Sequence, residues 1–370
     1  MNKDVAVQTT LFKREYTNIV KALCIFLMFA LHLIKREWLI YPDNIVGLKI
    51  HGEYLSFLIA RTGDICIGVF AFITGYGWAG KHYQISPKRI LSTYISYWVT
   101  LVLFNWPARM LLTYLDKGVL FSEGIVFTPA KIVISILGIA SQASTFCWYI
   151  FFFCLVALTY PLLEKMVRIT DKIVNKSVVG GLCHVVVICA LSMIARVANN
   201  KLYSMGCYDS VIHSVMYHYF TWVPCVLLGI SSKTYSWMDK IDKAVHGKAV
   251  LGILLPVLVI ATKMIMAEVL HLTSNVDSIF IIPFCYGLIK IAQIIYEYHN
   301  LNKVLSIIGR LSLYMWLAHA TLLLDIPEKL LCSLRLPVLI VTFSVAIMIP
   351  VSLLLRKADD LIKRVVKIGE

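Results

Sequence analysis

Long apolar runs, separated by short polar punctuation, dominate this chain. Each run of roughly 18–22 residues is long enough to cross a ~30 Å hydrocarbon core as an α-helix. The pattern predicts ten helices, at about 16–34, 54–78, 90–112, 147–163, 178–197, 218–230, 249–267, 276–295, 305–325 and 337–355. The sixth is short by this reading, with its start open toward the preceding loop. The first run follows a polar stretch, contains a lysine and has no small-residue cleavage site, so it reads as a retained span and not a removable signal peptide.

An even helix count puts both termini on one side, and the basic residues say which. The N-terminus, alternate loops and C-terminal tail hold 20 Lys and Arg, and the opposite loops hold 8. By the positive-inside rule the first set is cytoplasmic. The outer loop 113–146 contains AKIVISILGIA, which reads as a re-entrant or surface helix. The tail RKADDLIKRVVKIGE sets Leu361, Ile362, Val365 and Val366 among basic residues, the pattern of a helix lying on the inner membrane surface. One membrane domain fills 1–370, with a helical core over 13–355 and the basic tail over 356–370; no repeat or soluble second domain is visible.

Composition strengthens this picture. Of 370 residues, 59% are hydrophobic and 15% charged, against about 45–50% and 25% for soluble domains. The class is all-α, a polytopic integral membrane protein of the cytoplasmic (inner) membrane. The net charge of +14 punctuates the spans and does not cluster on a soluble face, which argues against nucleic acid as a partner. Ten cysteines form no CxxC pair and mostly sit within apolar runs as small hydrophobic filler. Cys207 and Cys332 fall in outer loops, where pairing stays open.

Ionisable groups inside a span cost several kcal/mol, so each needs a reason. In KALCIFLMFALH, Lys21 and His32 are eleven residues apart. At 100° per residue they share a helix face, ~16 Å apart along the axis. This presents a cation low and an imidazole high on one line, although a snorkelling lysine and an interfacial histidine give the same pattern. Helix 2 enters through LIARTGDICIGVF, with Arg61 and Asp64 spaced to pair with each other. Helix 9, GRLSLYMWLAHATLL, brings His319 to the depth of His32, and helix 4 opens on Trp148 and Tyr149, which also suit an aromatic belt. Four helices thus send polar or aromatic groups to the outer third of the bilayer, and a water-filled cavity explains that gathering at least cost. On the inner side, FITGYGWAGKHYQISPKRILSTYISYW offers Gly75, Gly77 and Gly80 for close approach. Lys88 and Arg89 at a helix start suit phosphates, or an ordinary basic loop.

Four of these stretches together resemble the acyltransferase-3 integral membrane acyltransferases. KALCIFLMFALH is similar to the family's first-helix arginine, ten residues, then histidine, with Lys21 in place of arginine. VFAFITGYG is similar to an aromatic-rich Ser-Gly-Tyr helix end, with Thr74 in place of serine. FCWYIFFFCLVALTYPLL resembles a tryptophan-led helix closing on a proline, here Pro161, and IIGRLSLYMWLAHATLL a late helix with a glycine-serine turn and a histidine. The family's two arginines after helix 2 are represented by Ser86 and Arg89, with Lys88 adjacent.

The resemblance implies an O-acyltransferase that moves an acetyl or other short acyl group from cytoplasmic acyl-CoA to a hydroxyl of an extracytoplasmic carbohydrate or glycolipid, without a metal. Lys21, Lys88 and Arg89 would hold the donor's phosphates, with Thr74, Gly75 and Tyr76 along its path. His32 would act as base or acyl carrier, oriented or assisted by Asp64, Arg61 or His319, and Arg61, Trp148 and Tyr149 would face the acceptor. Membrane lipids are partners in any case, and a homo-oligomer is compatible with the sequence. The competing reading is a transporter or sensor of a small polar solute that uses the same cavity; transporters favour inverted repeats and broken helices at the midplane, and the sequence shows no convincing repeat.

Overall fold

A computed structural model describes residues 11–34, 45–50, 52–80, 87–114, 128–139, 148–169, 174, 178–246, 248–269, 277–321 and 333–368. Almost all of them are helical, and the chain is an all-α polytopic membrane protein. The ten expected segments all coincide with helical rods, eight of which are long and apolar enough to cross a membrane. Among the described residues, strand is confined to a two-residue antiparallel pair, Lys49–Ile50 with Glu53–Tyr54.

Helix α1 (Arg14–Phe29) passes directly into a π-helical turn over Ala30–Ile34. The second rod is broken into α2 (Leu55–Arg61) and α3 (Ile65–Trp78). The third consists of α4 (Pro87–Thr100), a π-helical turn at Leu101–Asn105 and α5 (Trp106–Tyr114). Then come α6 (Pro129–Ile136), α7 (Trp148–Ile169), α8 (Val178–Ser204), α9 (Ser210–Thr234) and α10 (Trp237–Ala244). The chain finishes with α11 (Ala249–Val269), α12 (Asp277–Glu297), α13 (His299–His319) and α14 (Pro337–Val365).

The sixth rod, α9, starts inside the expected loop because Asp209 caps it: its carboxylate accepts from Val211 N at 3.0 Å and Ile212 N at 2.9 Å. The fourth, α7, does not close on Pro161 but continues to Ile169. Its end is held from outside the helix, where the Tyr235 hydroxyl donates to the Val167 carbonyl at 2.8 Å. Apolar side chains of α8 and α11, such as Val186, Ile194, Val257 and Leu258, are exposed, as a hydrocarbon surround requires.

Glycines let rods meet backbone to backbone. A Cβ on Gly309 of α13 would lie 1.9 Å from the Asn18 carbonyl of α1, and one on Gly75 of α3 would lie 2.1 Å from the Val226 carbonyl of α9. Gly229 returns the second contact, 2.2 Å from the Phe72 carbonyl. Between membrane helices such close packing replaces the hydrophobic drive that lipid removes.

The segment AKIVISILGIA forms α6, a short helix docked on α4. Tyr94 and Trp98 donate to the Leu137 and Ile136 carbonyls at 3.0 and 2.9 Å, and the Tyr97 hydroxyl donates to the Ser135 carbonyl. These bonds satisfy acceptors that a helix end leaves open. Gly138, at φ +71°, then turns the chain away, with Ile139 N donating to the Ile134 carbonyl at 3.1 Å.

The tail is not a separate surface helix up to residue 365. Helix α14 continues through it because Asp359 is fully buried among polar partners. Ser96 Oγ donates to Asp359 Oδ2 at 2.8 Å, Lys363 Nζ donates to the same oxygen at 2.7 Å, and the Tyr314 hydroxyl donates there too. One carboxylate thereby ties α14 to α4 and α13. Leu361, Val365 and Val366 remain exposed, so the outward face keeps the expected character.

Candidate functional site

A cavity of about 780 Å³ lies among α1, α3, α4, α7 and α13. From α3 it is lined by Phe70, Ile73, Thr74, Gly77 and Trp78, a stripe at the i, i+3, i+4, i+7, i+8 spacing of one helix face. From α1 come Arg14 and Lys21, seven residues or two turns apart. Helix α4 adds Arg89 and Thr93, α7 adds Tyr149, and α13 adds Ser312 and Trp316. Among the described residues no aspartate or glutamate lines it.

The cavity is polarised. Arg14, Lys21 and Arg89 stand at the end that the charge bias assigns to the cytoplasm, and the Arg89 guanidinium lies 5.8 Å from the Trp78 ring centroid. At the far end Phe70, Tyr149 and Trp316 form an aromatic wall, with Trp316 ring centroids 5.4 Å from Phe70 and 4.4 Å from Tyr149. The Thr74 hydroxyl donates to the Phe70 carbonyl at 2.9 Å.

One turn beyond Trp316 the histidines meet. The His32 and His319 ring centroids are 5.1 Å apart, and Phe29 packs on His319 at 6.1 Å. His319 is fully buried and its Nδ1 donates to the Trp316 carbonyl. A carbonyl only accepts, so Nδ1 carries a proton. His32 sits in the π-helical turn of α1, a distortion that recurs at functional sites. Neither histidine lines the cavity; the expected open conduit from Lys21 to His32 is closed by the aromatic wall.

The structure sorts the expected site residues. Lys21, Thr74, Arg89 and Tyr149 share the cavity, and His32 and His319 share the chamber beyond it. Gly75 and Tyr76 do not face the cavity, since they lie off the α3 stripe. Gly75 is the crossing point with α9, and Tyr76 stacks on Phe12 at 3.9 Å. Lys88 is exposed and outside the lining. Trp148 is about 100° from Tyr149 around α7, and it stacks on His218 at 3.9 Å instead of facing the cavity.

Arg61 and Asp64 do not form the expected helical pair, because the helix stops at Arg61 and residues 62–64 make a turn. Arg61 approaches Glu53 at 3.9 Å. Asp64 receives Lys263 Nζ of α11 at 2.7 Å, and the same ammonium pairs with Asp277 of α12. Lys263 and Asp277 are both buried, and Asp64 completes an ionic triad with them. Gly63, inside the same turn, presses on α1: its Cβ would lie 2.6 Å from the Leu27 carbonyl.

Sequence reasoning missed Arg14, Ser312, Trp316 and Lys263. Arg14 was legible as the residue two turns before Lys21. Lys263 was legible as a lysine inside a predicted span. Cys332 and Ser86 lie outside the described residues; Cys207 is an exposed free thiol.

Fold and site together define an all-helical, multi-pass membrane protein that holds a cation-lined cavity against a histidine pair, half-buried His32 and fully buried His319. Comparison with protein-family models, curated proteins and solved structures found no match.

Proposed function

We propose that this protein is an O-acyltransferase of the cytoplasmic membrane that transfers an acetyl or similarly short acyl group from acyl-CoA to a hydroxyl of an extracytoplasmic carbohydrate or glycolipid. The observation that carries the reading is the polarity of the cavity: Arg14, Lys21 and Arg89 at one end and an imidazole pair one turn past the other end. Three cations gathered at one mouth, Arg14 and Arg89 exposed and Lys21 half-buried, favour a polyanion such as the phosphates of a nucleotide. An extended arm from that nucleotide delivers its thioester to the aromatic end.

In this reading His32 accepts the proton of the acceptor hydroxyl. The oxygen attacks the thioester carbonyl, the C–O bond forms and the C–S bond breaks. The departing thiolate takes the proton back from the imidazolium. His319, fixed by its bond to the Trp316 carbonyl, orients His32 and is a positioning residue. For carbonyl and imidazole to meet, the Trp316 indole has to swing aside, so the arrangement described is a closed state that keeps water from the thioester.

The test is CoA binding and thiol release by the purified full-length protein in lipid nanodiscs, with comparison of cell-surface glycans from cells with and without it. Tight CoA binding, and acylated glycans that disappear with His32→Ala while membrane insertion persists, support the reading. Wild-type protein that binds no CoA overturns it.

One observation favours a second reading, a carrier of a small polar solute. The break between α2 and α3, with Asp64, Lys263 and Asp277 gathered at it, resembles the discontinuous helices that build transporter sites. Solute accumulation in vesicles without CoA dependence would favour that reading.

A further inference from the structure

We infer that the wall of Phe70, Tyr149 and Trp316 selects the acyl group by length and admits only chains of about two carbons. The inference rests on the donor reading above and assigns a specificity role to residues that the reading itself leaves open.

The argument begins with polarity. The cations fix the anionic end of any elongated ligand, so its apolar terminus points to the rings. Trp316 is buried to 9% exposure and is held on two sides by Phe70 and Tyr149. In the closed state, before the indole swings aside, the wall is therefore a packed aromatic surface, and packed surfaces do not yield to an extra methylene without strain.

Length selection also follows from where the imidazoles lie. His319 is three residues beyond Trp316 on α13, about 4.5 Å of axial rise. A two-carbon acyl group places its carbonyl one bond from the carbon that touches the wall, within a turn of the histidines. Every further methylene between wall and carbonyl pushes the reacting carbon back toward the cations and away from the base. The same rings thus exclude long chains and misplace the carbonyl of intermediate ones.

The test uses full-length protein in nanodiscs and measures affinity for CoA, acetyl-CoA, butyryl-CoA and hexanoyl-CoA. For wild type, affinity should fall at least about 10-fold from acetyl to butyryl and again to hexanoyl, as expected when a filled apolar pocket meets added methylenes. Trp316→Ala should bring hexanoyl-CoA within a few-fold of acetyl-CoA while affinity for CoA without an acyl group stays constant. Phe70→Leu, a milder change that leaves the Trp316–Tyr149 contact in place, should move the preference toward butyryl-CoA and keeps the inference testable if Trp316→Ala fails to fold. A chain-length profile that is flat in wild type, or unchanged in a folded Trp316→Ala or Phe70→Leu protein that still binds CoA, overturns the inference and leaves the donor reading standing. No CoA binding by wild type overturns both.

Discussion

His32 and His319 face each other with ring centroids 5.1 Å apart, one carried by the π-helical turn that ends the first rod and the other by the last residue of α13. His319 is fully buried beyond Trp316, whose carbonyl accepts a hydrogen bond from its Nδ1. Two imidazoles so placed act as one unit. His32→Ala should lower acyl transfer by about 10²–10⁴-fold, the usual worth of a general base. His319→Ala should lower it less, and the double variant should add little to His32→Ala alone. Thiol release measured on the three variants checks this; independent, multiplicative losses would separate the two residues.

Arg14, Lys21 and Arg89 share one end of the cavity. Each Ala substitution should weaken CoA binding by about 10–100-fold, from about 1.5–3 kcal/mol per charge-assisted bond. Binding should also weaken as salt rises. Lys88→Ala, at an exposed position outside the lining, should leave it unchanged. Titrations at two ionic strengths supply the comparison.

Lys263 is the ammonium shared by Asp64 and Asp277. Lys263→Met leaves two carboxylates facing each other in a buried site, which should cost about 3–5 kcal/mol. Asp277→Asn in the same chain should recover part of that loss. Thermal unfolding in detergent will reveal whether the second change rescues the first; equal melting of Lys263→Met and wild type would mean that the triad holds nothing together.

A methyl group on Gly309 would sit 1.9 Å from the Asn18 carbonyl. Because that neighbour is helix backbone, Gly309→Ala must part α1 from α13 and should cost about 1–3 kcal/mol. Gly77→Ala, where nothing lies within 4 Å, is the control on a neighbouring rod. The melting difference between the two variants reads the effect.

Asp359 joins three rods through Ser96, Tyr314 and Lys363. Asp359→Ala should destabilise the protein by about 1–3 kcal/mol, since it strips partners from buried polar groups. Truncation after residue 355 should do at least as much. Protease resistance of membrane preparations offers a simple assay.

The rods were legible in the sequence because a membrane imposes one rule, an apolar stretch of fixed length, and α1, α8 and α12 obey it plainly. Side-chain direction was legible only where α-helical phase holds. It served for Lys21, whereas Thr74 came from the motif likeness and Tyr149 from its place at the start of a helix. It failed for Gly75 and Tyr76, where identity was taken without asking which side of α3 they occupy, and for Arg61 and Asp64, where the helix breaks between them. The partner of Asp64 was beyond reach because Lys263 lies 199 residues away, and no local pattern encodes such a meeting. Asp359 was hidden differently. Its basic surroundings look like a surface tail, and only tertiary packing reveals that one carboxylate turns inward.

The contact between Gly309 and Asn18 has a mechanical consequence. Helix α1 bears Arg14, Lys21 and the turn with His32, and α13 bears Ser312, Trp316 and His319. Clamped backbone to backbone, these two rods form a single spine, so the cationic end and the imidazoles cannot swing in opposite directions. A carrier that rocks its two gates out of phase would have to hinge elsewhere, whereas passing a small group along a stationary spine requires only that one indole turn.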